Sequence, residues 1–226
     1  MNKPIRVLQN IQTISLGGVE TFIMNYYRNI DRTKVQFDFI VRMYDNMPND
    51  FEKEILTLGG KIYNVPTFKH GKLFLFEIMK IIKKNGYKII HSHSNIYSVY
   101  SLFSAKCAKV PVRIAHCHNT SADKGVLYPF KMILKPFVRK LSTDRLACSL
   151  KAGKWLFGEK TFKIIPNAID TKKYEFNNEV RLLKRKEIGL SDDFTIINIG
   201  RFTEQKNQLF LLDIFNEIVK NDSNAK

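Results

Sequence analysis

Short apolar runs rich in Ile, Val and Phe alternate along the chain with longer stretches in which apolar residues recur every three or four positions. The first pattern suits strands buried on both faces of a parallel sheet, and the second suits helices that lay one face on it. Strands are predicted at 5–9 (IRVLQ), 36–41 (QFDFIV), 61–65 (KIYNV), 87–91 (YKIIH), 112–118 (VRIAHCH), 144–149 (DRLACS), 162–165 (FKII) and 194–199 (FTIINI). Helices are predicted near 19–30, 49–58, 72–85, 95–108, 127–141, 150–157, 178–188 and 208–220. Such a βα succession implies the α/β class: a Rossmann-like parallel sheet of six or seven strands over about residues 4–165, with helices on both faces. The pattern breaks at IIPNAIDTKKYEF, where Pro166, Asn167 and a polar run intervene. The chain therefore divides into a first domain at 1–165, a linker at 166–192 and an incomplete second α/β domain at 193–226. With 226 residues in all, two full α/β domains do not fit.

One predicted helix is more amphipathic than its role requires. Phe130, Ile133, Leu134, Phe137, Val138 and Leu141 form a stripe, and Lys131, Lys135 and Arg139 repeat beside it, with Lys140 and Arg145 adding charge. Two readings follow: the stripe faces the sheet and leaves a basic rim in solvent, or it lies on an anionic membrane. Pro136 predicts a kink. The net charge of +16 favours phosphate-bearing partners of some kind. Three cysteines, Cys107, Cys117 and Cys148, with no C-x-x-C spacing, argue against a disulfide framework and for a reducing compartment. No apolar run is long enough to span a bilayer, so the expected location is cytoplasmic, peripheral on the inner face of the membrane.

Candidate chemistry gathers at the strand ends. The first βα turn, ISLGGVET, sets Gly17 and Gly18 before a helix whose free N–H groups favour an anion, with Glu20 in its first turn. The bland alternative is a turn that needs glycine for a positive φ. A G-x-G-x-x-G fingerprint is absent, and Arg42 stands where a dinucleotide fold often has an acid, which disfavours a dehydrogenase. A P-loop is excluded, since Pro66 occupies the position of its first glycine. Four histidines come as pairs at carboxyl ends of strands, His91 with His93 and His116 with His118, where ligands of doubly wound sheets bind. Their spacing matches no metal signature, and a hydrogen-bonded structural role competes with a ligand-facing one. Finally, Gly200 closes the strand FTIINI, and Arg201 and Lys206 bring a forked and a point charge to the next helix, a combination suited to a diphosphate.

Taken in order, GGVET, YKIIHSHS, RIAHCHN, IIPNAID and INIGRFTEQKN resemble glycosyltransferase family 4, in its capsular and exopolysaccharide branch. The resemblance implies a retaining enzyme of the GT-B fold that uses a nucleoside diphosphate sugar as donor substrate and neither a cofactor nor a metal. It implies that Gly17 and Gly18 lie near the donor diphosphate and that His118 hydrogen-bonds the transferred sugar as the catalytic residue. His93 and Glu20 are then on the acceptor side, and Arg201 and Lys206 neutralise the leaving diphosphate. The family's E-x7-E motif lies downstream of GRFTEQKN, and the sequence ends at Lys226 before it. The chain is therefore expected to be inactive alone, as a truncated piece or as the partner of a separately encoded C-terminal half.

The function expected on these grounds is the N-terminal portion of a transferase that moves a sugar to a lipid-linked or polysaccharide acceptor. The competing reading is a catalytically inactive fragment kept as a membrane-surface or partner-binding module. A nucleic-acid partner is disfavoured, because neither a helix-turn-helix nor a groove of interleaved aromatic and basic residues is apparent.

Overall fold

A computed structural model describes residues 3–43, 49–67, 70–122 and 125–226, the side chain of residue 205 excepted. Its strands and helices alternate as β1 (Ile5–Asn10), α1 (Gly18–Asn29), β2 (Val35–Arg42), α2 (Glu52–Thr57), β3 (Ile62–Val65), α3 (Gly71–Asn85), β4 (Ile89–Ser92), α4 (Ser98–Cys107), β5 (Val112–Cys117), α5 (Tyr128–Leu141), β6 (Asp144–Ala147), α6 (Leu150–Phe157) and β7 (Lys163–Ile164). The seven strands form one sheet in the order β3-β2-β1-β4-β5-β6-β7, every neighbouring pair parallel. Strand order reverses beside β1, which makes the carboxyl ends of β1 and β4 the switch point where such sheets open a crevice.

Each face of the sheet carries its own apolar core. Leu8, Ile40, Ile90, Ala115 and Ala147 meet Phe74, Ile78, Leu102, Val138 and Leu156 of the α3–α6 layer. On the other face Phe39 and Val41 meet Phe22, Met24 and Tyr27 of α1 and Ile55 of α2. This double burial is why the strands read as apolar runs. A carboxylate is buried on the first core's face of β2: Asp38 pairs with Arg6 and accepts from the Tyr87 hydroxyl at 2.6 Å and the Lys61 backbone N–H at 2.7 Å. With its lone pairs satisfied, the carboxylate is tolerated there.

Helix α5 divides its stripe between core and solvent. Val138 and Leu141 are buried and Leu134 packs against the core, whereas Phe130, Ile133 and Phe137 remain exposed at 49%, 64% and 45%. The basic row does not rim the exposed part. Lys131 Nζ lies over the Tyr97 ring at 6.0 Å and Lys135 Nζ over Trp155 at 5.1 Å, while Lys140 reaches over Phe137, at 5.8 Å. The helix runs through Pro136 as one element. No helix among the described residues is long and apolar enough to cross a membrane.

The chain separates into two compact units, Met1–Asp170 and Thr171–Lys226. The second contains α7 (Asn178–Glu187), a 3-10 turn at Glu204–Lys206 and α8 (Gln208–Asn221). The strand predicted at 194–199 is not formed: its backbone hydrogen bonds are with Lys226, whose N–H donates to Phe194 O and whose carbonyl accepts from Ile196 N–H. A strand needs a neighbour along its length to bond its alternate amides, and no other described strand lies beside this one.

Candidate functional site

Helix α1 begins in the loop that leaves β1. Gly17, its N-cap, is extended, and neither Gly17 nor Gly18 has a positive φ, so the turn itself does not demand glycine. At Gly17 a Cβ would meet Glu20 Oε2 at 2.3 Å, which shows that the missing side chain leaves room for Glu20 to fold back over the helix start. At Gly18 nothing lies within 4 Å of where a Cβ would be. The helix start thus has open space beside Gly18, while the Glu20 carboxylate lies over Gly17 and reaches Thr13 Oγ1 at 3.4 Å.

One turn further, Phe22 packs edge-on against His116 and His118, with ring centroids 5.4 Å away in both cases. Strand alternation explains why the histidines meet there. Gln9 pairs with His91 across β1 and β4, and His91 with Ile114 across β4 and β5, so Gln9, His91, His93, His116 and His118 share the α1 face. The imidazoles are stacked in two linked pairs: His91 Nε2 is 3.2 Å from His116 Nδ1, and His93 Nδ1 is 2.9 Å from His118 Nε2. His93 Nε2 is 2.9 Å from Gln9 Oε1, and the backbone N–H of His118 donates to Asn95 Oδ1 at 3.0 Å. Asn95 holds a left-handed φ of 49°, a conformation that asparagine tolerates better than most residues.

Burial drives all four imidazoles toward the neutral form, to a pKa of about 3 for His91, about 2 for His116, about 4 for His118 and well below 6.5 for His93. Mutual repulsion reinforces burial at His91, His93 and His116. Neutral imidazoles are what a metal requires, and nitrogens of His91, His93 and His116 lie within 4.8 Å of one another. The remaining atoms do not suit one. Both nitrogens of His93 already have partners, and buried His116 Nε2 has no acceptor of the kind that orients a metal-bound imidazole. The cluster is a hydrogen-bonded imidazole stack.

Of the residues singled out in the sequence, Gly17, Gly18, Glu20, His93 and His118 thus fall in one region of the first unit. His118 is half-buried, while His93 lies beneath the surface at 4% exposure. Arg201 and Lys206 belong to the second unit, both exposed, with the Lys206 side chain running over Gly200. Gln9 and Asn95 were not anticipated. A glutamine following the apolar pair Val7-Leu8 in β1, 2% exposed, was the available signal for the first.

Comparison with known proteins gives this arrangement a lineage. The family model described as Glycosyltransferase Family 4 matches residues 16–173. The chain is 34% identical over 92% of its length to the glycosyltransferase EpsF of Bacillus subtilis, covering 57% of that protein. It is 28% identical over 98% of its length to the capsular polysaccharide biosynthesis glycosyltransferase CapH of Staphylococcus aureus, covering 60% of it. A galactosyltransferase of Escherichia coli, named for transfer from UDP-Gal to a GlcNAc-diphosphoundecaprenol, is 27% identical over 66% of the chain and matches over 41% of its own length. The chain therefore spans a little over half the length of EpsF and CapH. Among solved structures, Anabaena HepE in complex with UDP-glucose superposes with a TM-score of 0.74 at 14% identity, covering 94% of this chain and 57% of that one. That likeness is one of fold.

Proposed function

From the premise that this chain belongs to glycosyltransferase family 4, we propose that it is the acceptor-side portion of a transferase acting in capsule or exopolysaccharide synthesis. It would move a sugar from a nucleoside diphosphate sugar to a lipid-linked or polysaccharide acceptor. The observation that carries the reading is the juxtaposition of half-buried His118 with Phe22, one turn below the open helix start at Gly18. A helix N-terminus attracts the donor diphosphate, and a neutral imidazole beside it can hydrogen-bond the sugar without adding charge that would compete. Glu20 and His93 border the acceptor side, His93 from below and through His118. Arg201 and Lys206 neutralise charge on the departing diphosphate, which is why neither metal nor cofactor is invoked. The relatives are named as glycosyltransferases, and this does not favour the alternative of an inactive binding fragment.

An acceptor carried on a lipid places the reaction at a membrane surface. The exposed row of Phe130, Ile133 and Phe137 with Lys140 beside it is the surface that supports peripheral contact with anionic lipid on the cytoplasmic side.

The test is sugar transfer with a donor-binding half supplied, in the same chain or as a second polypeptide. His118→Ala should lower kcat by removing a contact next to the reacting carbon. Lys206→Ala should remove about 2.7 to 4 kcal/mol of transition-state stabilisation, the scale for losing one oxyanion donor. Full activity in His118→Ala rules the reading out.

A further inference from the structure

The proposed function gives His118 a role, but a neutral imidazole has two tautomers that present opposite chemistry. One offers a lone pair at Nδ1 and the other an N–H. The tautomer is set by the partner of the other nitrogen. Here that partner is itself a buried histidine, with a glutamine behind it.

We propose that Gln9 and His93 are positioning residues that hold His118 as its Nε2–H tautomer, so that Nδ1 accepts a hydrogen bond from a hydroxyl of the transferred sugar. The role of the sugar rests on the transferase reading, and the relay does not. The geometry runs in one direction. Gln9 Oε1 has lone pairs and no proton, so His93 Nε2, 2.9 Å away, donates to it. His93 is neutral, which leaves Nδ1 as an acceptor, and His118 Nε2 at 2.9 Å must carry the proton between them. His118 then has Nδ1 left as a lone pair. Gln9 is 2% and His93 4% exposed, so water does not compete readily for either link. The other pair, His91 with His116, stacks against these rings with centroids 4.1 Å (His91 to His93) and 4.2 Å (His116 to His118) apart, which restricts ring rotation. A site built this way favours a donor hydroxyl on the sugar over an analogue lacking it, because the bound sugar would screen the half-buried imidazole from water and leave Nδ1 without its partner.

The measurement is long-range 1H–15N correlation of the histidine rings in the 226-residue chain at pH 7. In the wild type His118 should show a pyrrole-like Nε2 and a pyridine-like Nδ1. Gln9→Met, which keeps the volume and removes the acceptor, should change the His118 tautomer ratio by roughly five-fold, the weight of one hydrogen bond. His93→Phe should release it as well. A wild-type His118 that carries its proton on Nδ1, or a ratio unmoved in folded Gln9→Met and His93→Phe, overturns the relay. If Gln9→Met does not fold, the wild-type spectrum and His93→Phe still decide. The transferase reading is tested separately: a fixed Nε2–H tautomer combined with full transfer by His118→Ala would leave the relay standing and remove the sugar from it.

Discussion

Protonating one of the four stacked imidazoles places a charge in a site that burial has made hostile to it, and this links stability to pH. Their folded pKa values lie below the ordinary 6.5, near 3, 2 and 4 for His91, His116 and His118 and in the same direction for His93. Above pH 6.5 folded and unfolded chains are both neutral at these positions, and the stabilisation is fully present. Below it the unfolded chain takes up protons that the folded chain refuses, so stability falls by about 1.4 kcal/mol per pH unit for each histidine that stays neutral. His118, being half-buried, contributes less than its neighbours. Urea unfolding should show a flat midpoint between pH 8 and 7 and a steep decline from 6.5 to 5, partly flattened in His91→Asn. An invariant midpoint across that window would contradict the neutral stack. Gly18 makes a second prediction at this scale. With no positive φ to serve and no atom within 4 Å of a Cβ, Gly18→Ala should leave the melting temperature unchanged or slightly raised. On the proposed donor site, sugar transfer by the complete enzyme should fall, because the methyl would occupy space assigned to the diphosphate. A marked loss of stability would mean that glycine is there for the fold.

Helix α5 splits one amphipathic stripe between the core and an exposed face. Its inward residues hold the core, so Leu141→Ala should cost about 2 kcal/mol or more. Its outward ones carry no such load: Ile133→Ser with Phe137→Ser should change stability by about 0.5 kcal/mol or less at each site. The double change should still weaken binding to anionic vesicles more than ten-fold, since each apolar side chain moved into lipid is worth about 1.5 to 3 kcal/mol. Equal binding of both proteins in vesicle flotation would put the membrane contact elsewhere. In the neighbouring α6, Gly153 is a helix-interior glycine with a packing reason. A Cβ there would come within 2.1 to 2.5 Å of three atoms of the Phe162 ring. Gly153→Ala should therefore destabilise by about 1 to 3 kcal/mol, against a propensity gain of under about 1 kcal/mol. A rise in melting temperature would show that Phe162 moves aside freely.

At the scale of the molecule the two units differ in how well they satisfy their own apolar residues. The first buries a core on each face of its sheet, whereas no residue of α8 is buried, and Leu209, Phe210 and Leu212 stand 76%, 58% and 61% exposed. The same helix lines a depression of about 530 Å³ with Ile214, Glu217 and Ile218, opposite Phe194. Surfaces of this kind associate. Sedimentation of the purified 226-residue chain should show self-association at micromolar concentration that Leu209→Lys with Leu212→Lys disperses. A monomer at all concentrations would show that the face is already covered. Nucleotide-sugar binding by the same preparation should be weak, because Arg201 and Lys206 are exposed on a unit that forms no sheet ladder.

What the sequence by itself determined is whatever depends on neighbours along the chain. Strand and helix positions in the first unit, the βα order and the gathering of paired histidines at strand ends all follow from apolar periodicity and from side chains alternating across a pleat. The strand expected at 194–199 shows the limit, since its apolar pattern matches that of the others and only a second strand could turn it into sheet. The exposed half of the α5 stripe shows the same limit, because periodicity assigns a face but not what the face meets. Tertiary structure decided the rest. It took Gln9, from a strand far away in sequence, and set it behind His93, so that a buried amide governs the proton on His118. No spacing rule encodes that contact. It arises from strand order and register, which hydrogen bonding across the sheet settles only once the chain has folded.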